Sequence, residues 1–429
     1  MTNTEQPATN HLSPDFWKFW IGQLVSVLGS SFTGFAIPLL IYKLTGSAVN
    51  LALAMAAEFL PYLLFGLVIG AWVDRVDRKR LMIVVNIAMG LTVASITLMA
   101  GIGHLSVWWI YGVGFVGSTL AIAFNAAEFA AIPSLVGQDD LVTANGRIQA
   151  GYFSAQIAGP LLAGALVAFV PLSSLMLIDA ASFVIASAAL LLVGVGFNAG
   201  PERAKTSIRH DIAEGLRYVF HHPVLRNISI MMAMVNFLAT TTGAELVFFA
   251  KVRLHASNSE IGLLFACGSA GVVVTSLMAG RLRKRWSFSR VALSALTFEG
   301  IVITGFAFTQ WLWLALPVWA LQQGVGILFN INTGSLRQAI VPNHMLGRIM
   351  TIAGVLAWSA IPLGALLGGF AIQITGNVVL VYAVIGVLTS IIPIAFSFTA
   401  LGHAEDYIPK EPVEETPPAT SEKAASVAV

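Results

Sequence analysis

The sequence predicts an all-α integral membrane protein, with twelve transmembrane helices arranged as two six-helix halves. Three observations carry that prediction. The 429 residues are 57% hydrophobic and only 10% charged, with a mean hydropathy of +0.82, a composition that soluble domains do not have. The apolar residues fall into twelve continuous runs, each near the 17 to 25 residues that a spanning helix needs. The runs lack the period-two alternation of a membrane β-barrel.

In chain order, 1–15 is a polar tail without the basic start and small-residue cleavage site of a secretory signal, so the first run is expected to stay as a helix. The first six runs lie near 19–42, 49–73, 81–101, 105–132, 148–170 and 174–197, and form an N-terminal half over 16–197. The polar segment 198–227 follows. Within it Ile208, Ile212, Leu216 and Val219 recur at helical spacing, which predicts an amphipathic helix on the cytoplasmic membrane surface. Pro223 then breaks the pattern. The second six runs, near 228–250, 261–279, 290–310, 312–333, 349–373 and 378–400, make a C-terminal half over 228–401. The last stretch, 402–429, is rich in Pro, Glu, Ser and Thr and reads as a disordered cytoplasmic tail.

Basic residues set the orientation. With both termini in the cytoplasm, 20 of the 23 Lys and Arg residues lie inside, and Lys43, Lys251 and Arg253 face out. Eight of the ten tryptophans sit at run ends, where amphipathic rings prefer the interface. The balanced net charge of +2 suggests no nucleic-acid partner. A single cysteine, Cys267, excludes an intramolecular disulfide and a zinc cluster. Gly112, Gly114 and Gly117 spell G-x-G-x-x-G inside an apolar run with no strand before it, so they make no dinucleotide site. No P-loop and no HExxH occurs. The reading is a non-enzyme without cofactor or metal, its partners the lipid bilayer, protons and a small molecule, and its expected state a monomer.

The turn between runs two and three is the most specific stretch. Residues 70–80, GAWVDRVDRKR, are too short and too charged to lie in hydrocarbon. Gly70, Asp74, Arg75, Arg78 and Lys79 spell G-x-x-x-D-R-x-x-R-K, and the chain thereby resembles the major facilitator superfamily, which carries this signature between its second and third helices. The resemblance implies a latch between the two halves in one state of alternating access, with Glu128, near the inner end of run four, expected to pair with Arg75 or Arg78. Asp77 stands where the family usually has glycine.

A second motif lies in run five. Gly146, Ala155, Gly159, Pro160, Ala163 and Gly164 fit g-x8-G-x3-G-P-x2-G-G, with two of the glycines replaced by alanine. Small residues at these intervals allow close helix packing, and proline supplies a bend. The pattern resembles the fifth helix of the superfamily's drug and proton antiporters, which include macrolide-efflux proteins. The opening helix, the IPSLVGQDDLVTANG loop and the HDIAEGLRYVFHHPVLR segment are similar to the same group. What this implies is a secondary active exporter of hydrophobic or amphiphilic drugs in the cell (inner) membrane. Siderophores or lysophospholipids are the alternative cargo, and a non-transporting receptor or scaffold is the alternative class. Repeated features about 200 residues apart, such as Gly146-Arg147 and Gly347-Arg348, mark the halves as weak repeats.

Acids inside apolar runs are the expected place for chemistry, because each is expensive there and faces the bundle interior or a cavity. Glu58, Asp179, Glu245 and Glu299 are the candidates for carrying protons. Trp319 and Trp358, the tryptophans away from the interfaces, are candidate cargo contacts, with Gln23, Gln322 and Asn332 as polar ones.

Overall fold

The computed structural model describes residues 12–73, 75–136, 140–197, 208–341 and 343–408. Helices α1 (Pro14–Thr45), α2 (Ala48–Val73), α3 (Arg78–Gly101), α4 (Val107–Leu135), α5 (Leu141–Leu166) and α6 (Leu175–Leu192) make the first six crossings. A short helix, α7 (Ile208–His221), comes next. The seventh crossing is broken into α8 (Pro223–Ala244) and α9 (Leu246–Val252). Then come α10 (Asn258–Arg285), α11 (Phe288–Ala307) and α12 (Leu312–Ile340). The eleventh crossing is again broken, into α13 (Asn343–Trp358) and α14 (Ile361–Thr375), and α15 (Val378–Ser397) is the twelfth. Among the described residues, 11 segments are long and apolar enough to cross a membrane; α5, with 26 residues, is of membrane length and completes the bundle.

Caps place the helix starts. Ser13 Oγ accepts the Phe16 N–H at the head of α1, and Gly46, at φ 61°, ends that helix in the left-handed conformation glycine tolerates. Asp77 caps α3 by accepting the Arg80 N–H at 3.0 Å. Its φ of −66° is ordinary, so the position usually held by glycine needs no glycine here and gains a cap instead.

The two halves repeat in their packing. α1 packs on α5 and α6, α2 on α4, and α3 on α4 and α6. In the same relation α8 packs on α14 and α15, α10 on α12, and α11 on α12 and α15. Small residues make these approaches close: a Cβ on Gly271 or Gly364 would run into the backbone of Ala320 or Phe237 respectively. Large apolar side chains such as Phe129, Phe169, Leu277 and Phe398 are exposed around the perimeter, as a lipid-facing surface requires.

Two expectations change. The second half of α7 packs on protein: Val219 is buried, and a Cβ on Gly215 would strike Ile352 of α13. The tail expected to be disordered from Gly402 is ordered at its start, where Ala400–Tyr407 forms a 3-10 helix. It is ordered because Leu401 and Ala404 are buried and Glu405 accepts the Ser289 N–H (2.9 Å) and hydroxyl (2.8 Å) at the start of α11. Residues 1–11, 198–207 and 409–429 of the expected tails and linker lie outside the described residues.

Candidate translocation site

With an even number of crossings, residue 12 and residue 408 lie at one end of the bundle, called basal here; the opposite end is apical. The halves meet along two seams, α2 against α14 and α5 against α10. Both are tight at the apical end. A Cβ on Gly262 of α10 would lie 2.6 Å from the Pro160 carbonyl and 3.0 Å from Gly164 Cα, and the Ser259 hydroxyl donates to the Gly164 carbonyl at 2.6 Å. A Cβ on Gly369 of α14 would lie 2.7 Å from Ala52 Cβ of α2. Phe35 with Phe265, and Tyr42 with Phe248, add edge-on ring pairs, each at 6.1 Å.

Further along α2 its contacts pass from α14 to α13, the halves part, and a cavity of about 390 Å³ lies between them. Its walls are apolar and aromatic: Phe59, Tyr62 and Leu63 of α2, Ile122 of α4, and Met350, Val355 and Trp358 of α13. Tyr62 and Trp358 meet edge to face across it, 6.3 Å between centroids. Glu58 sits one turn before Tyr62 and is exposed although it is mid-helix. Tyr62 lies within electrostatic range of both Glu58 and Tyr152 of α5. Of these groups Tyr62 and Trp358 line the cavity, and Glu58 and Tyr152 stand beside it.

The other acids have different surroundings. Asp179 is buried and accepts from Thr33 (2.5 Å), Ser30 (3.2 Å) and Ser182 (3.3 Å), which ties α6 to α1. Its carboxylate is thus held by hydroxyl donors on both helices. Glu299 packs against Gly326 between α11 and α12, away from both seams. Glu245 occupies the α8/α9 break, is fully buried, and accepts no hydrogen bond at either oxygen.

Of the expected cargo contacts, Trp358 lines the cavity and the rest do not. Trp319 is a core residue, 3% exposed: its ring packs on Phe306 at 5.4 Å, and its indole nitrogen lies 2.6 Å from where a Cβ of Gly268 would be. Gln322 is buried in the wall between α12 and α8, donating to the Thr242 hydroxyl at 3.1 Å. Asn332 is buried and returns to the Leu328 carbonyl of its own helix, and Gln23 is buried in α1. The sequence reading does not single out Tyr62 or Phe59; the available signal is the four-residue spacing that puts Tyr62 on the helix face of Glu58. Arg337 was counted only as a basic residue, yet it is buried and donates to Met232 Sδ at 3.2 Å.

The motif residues separate in the same way. Gly159 packs on Ser31 of α1, and Gly164 and Pro160 form the apical seam with α10, whereas Gly146 has open space around it. In the charged turn, Arg78 donates to the carbonyls of Ala130 (3.3 Å) and Phe197 (3.2 Å), and Lys79 donates to the Val193 carbonyl at 2.6 Å. These bonds tie α3 to α4 and to the end of α6. Arg75 is exposed, Gly70 falls within α2, and Asp74 lies outside the described residues. The expected pairing of Glu128 with Arg75 or Arg78 is not among the ion pairs of the described residues; both basic side chains lie in or beside the turn, and Arg78 is turned to the Ala130 and Phe197 carbonyls.

Two repeated halves around a midline cavity, sealed at one end, define a transporter of the major facilitator class. The comparisons agree. A sequence model for the family described as "transmembrane secretion effector" matches residues 10–427, and the chain belongs to that family. It is 28% identical over 362 residues to the multidrug efflux pump Tap of Mycolicibacterium fortuitum, covering 81% of this chain and 86% of that one. It is 25% identical over 379 residues to macrolide efflux protein A of Streptococcus pyogenes, covering 86% and 92%. Its fold is similar to a bacterial homologue of the iron transporter ferroportin in an inward-facing state, with a TM-score of 0.70 at 18% identity over 90% of this chain and 98% of that one.

Proposed function

We propose that the protein is a secondary active exporter of hydrophobic or amphiphilic drugs, driven by proton antiport. The observation that carries the reading is the aromatic cavity at the seam, with Glu58 one turn from its wall residue Tyr62, sealed apically by the Gly164/Gly262 and Gly369/Ala52 contacts. The basic-residue asymmetry supports a cytoplasmic basal end and both termini inside. The conformation is then inward-facing, the state in which an exporter takes cargo from the cytoplasm or inner leaflet. The names of the efflux-pump relatives support a drug cargo.

In this mechanism Glu58 exchanges its proton for cargo within the cavity. A carboxylate in a largely apolar space is stabilised either by a proton or by a bound cationic or polar group. Rocking of the halves opens the apical seams, and an external proton displaces the cargo. The protein works as a monomer, since each chain holds a complete cavity.

The test is intravesicular pH in inside-out vesicles holding the purified protein under a proton gradient. Macrolides, lipophilic cations, siderophores and lysophospholipids are offered in turn, for the native chain and for Glu58→Gln. Proton release by a drug in the native chain and not in the variant is the expected result. Release by siderophores or lysolipids alone overturns the cargo assignment, and no release by any compound overturns antiport.

A further inference from the structure

Glu245 has an arrangement that the cavity mechanism does not use. It sits where the seventh crossing breaks between α8 and α9, 0% exposed, and no donor among the described residues reaches either carboxylate oxygen. It also lies at the contact between the halves. The point where a Cβ of Gly369 would stand is 3.2 Å from Glu245 Oε1, 3.2 Å from the Ala48 carbonyl of α2, and 2.7 Å from Ala52 Cβ. The carboxyl group is therefore wedged against the closed apical seam, close to a backbone carbonyl of the opposite half.

Among the described residues no cation pairs with Glu245, and Arg253, whose Nε is buried, stands two turns further on at the other end of α9. α14 carries no titratable residue, and Ala48–Met55 of α2 carries none before Glu58. Tyr382 of α15 faces Glu245, but its hydroxyl donates to the Thr242 carbonyl at 3.0 Å. On α9, Lys251 turns away and donates to the Ala256 carbonyl at 2.9 Å. From α1, Tyr42 packs on Phe248, while Lys43 is exposed. An ionised carboxylate so enclosed is buried with no donor among the described residues, so the closed seam favours the neutral acid over the anion.

We propose that Glu245 is a proton-operated lock on the apical gate: the seam between α2 and α14 closes when Glu245 holds a proton, and its ionisation favours the open seam. The proton exchanges with the apical solution while the gate is open. The proton exchanged for cargo is a separate one, on Glu58. This population shift couples external pH to the gate, and extends the antiport reading, although its test reads gate geometry and not flux.

The experiment uses full-length protein carrying Cys267→Ala, with spin labels on Lys43→Cys and Thr375→Cys. Both positions are exposed at the apical end, on opposite halves. Label separation is measured in lipid vesicles at mildly acidic and mildly alkaline pH. The expected result is one short separation in acid, with a longer population growing in alkali. Glu245→Gln should stay short in both, with an open fraction in alkali lowered about tenfold. Gly369→Ala should show the longer separation at every pH, because its Cβ cannot fit the seam. Opening in Glu245→Gln as in the native chain overturns the proposal, and so does a native chain that never opens with pH. If Glu245→Gln does not fold, Glu245→Met, neutral and of similar size, takes its place, and opening with pH as in the native chain overturns the proposal equally. Glu58→Gln should keep the pH-dependent gate while losing cargo-driven proton release, so failure of antiport and failure of the lock give different results.

Discussion

Tyr62 and Trp358 meet edge to face at 6.3 Å across the line where the two halves part. One ring belongs to α2 and the other to α13, so the pair spans the cavity. Edge-on aromatic pairs contribute about 0.5–1.5 kcal/mol beyond the area they bury. Replacing Trp358 by Ala removes a cavity wall and leaves the apical seams intact. The expected outcome is a rise in apparent KM for a drug of roughly three- to tenfold in vesicle transport, with Trp358→Phe recovering most of it.

Asp179 and Glu58 should separate by assay. Asp179→Asn weakens two hydroxyl contacts between α1 and α6 and one within α6, and is expected to lower stability by about 1–3 kcal/mol, read as a fall in thermal midpoint in detergent. Proton-coupled transport should persist in the variant that folds. Glu58→Gln should behave in the opposite way, keeping the midpoint and losing proton release.

The glycine seam between α5 and α10 has no room for a side chain. Gly262→Val should prevent the conformation described here, since even a Cβ lies 2.6 Å from the Pro160 carbonyl. Accumulation of drug in cells expressing this variant should match cells without the pump. Gly146→Val should be tolerated, because nothing lies near that position.

The charged turn gives a prediction at the basal end. Arg78→Ala removes donors to Ala130 and Phe197 and should abolish efflux while leaving the protein in the membrane. Asp74→Asn should do the same. Normal transport by both variants would remove the latch from the mechanism.

Glu405 ties the C-terminal 3-10 helix to α11. Burial raises its carboxyl, but the Ser289 N–H and hydroxyl, with Ser287, outweigh that and hold it below the ordinary 4.5. Its folded value being depressed, the contribution to docking is complete above the ordinary value and is lost as pH falls through the folded one. Hydrogen-exchange protection of 400–407, corrected for intrinsic rates, should fall with acidification below that range. In Glu405→Gln this step should disappear.

The sequence announced the long helices because hydrocarbon demands them: continuous apolar runs, tryptophans at their ends and charges between them leave no other fold. It also announced the turn at 70–80, where charge density excludes the membrane. It was less informative wherever a residue's role depends on which helix it faces. Trp319 and Trp358 are alike as residues in apolar runs, yet one is buried against Phe306 and the other lines the cavity. Asp179 and Glu245 are alike as buried acids, yet one receives three hydroxyls and the other none.

By itself, then, the sequence determined the class of fold, the positions of most crossings and the set of acids worth testing, because all three follow from the free energy of moving residues between water and lipid. Tertiary structure decided which acid stands beside the cavity, which is held by hydroxyl donors and which is buried at the contact between the halves. That choice depends on rotation about each helix axis and on close approach at glycines, which contacts between helices distant in sequence fix and no local pattern records.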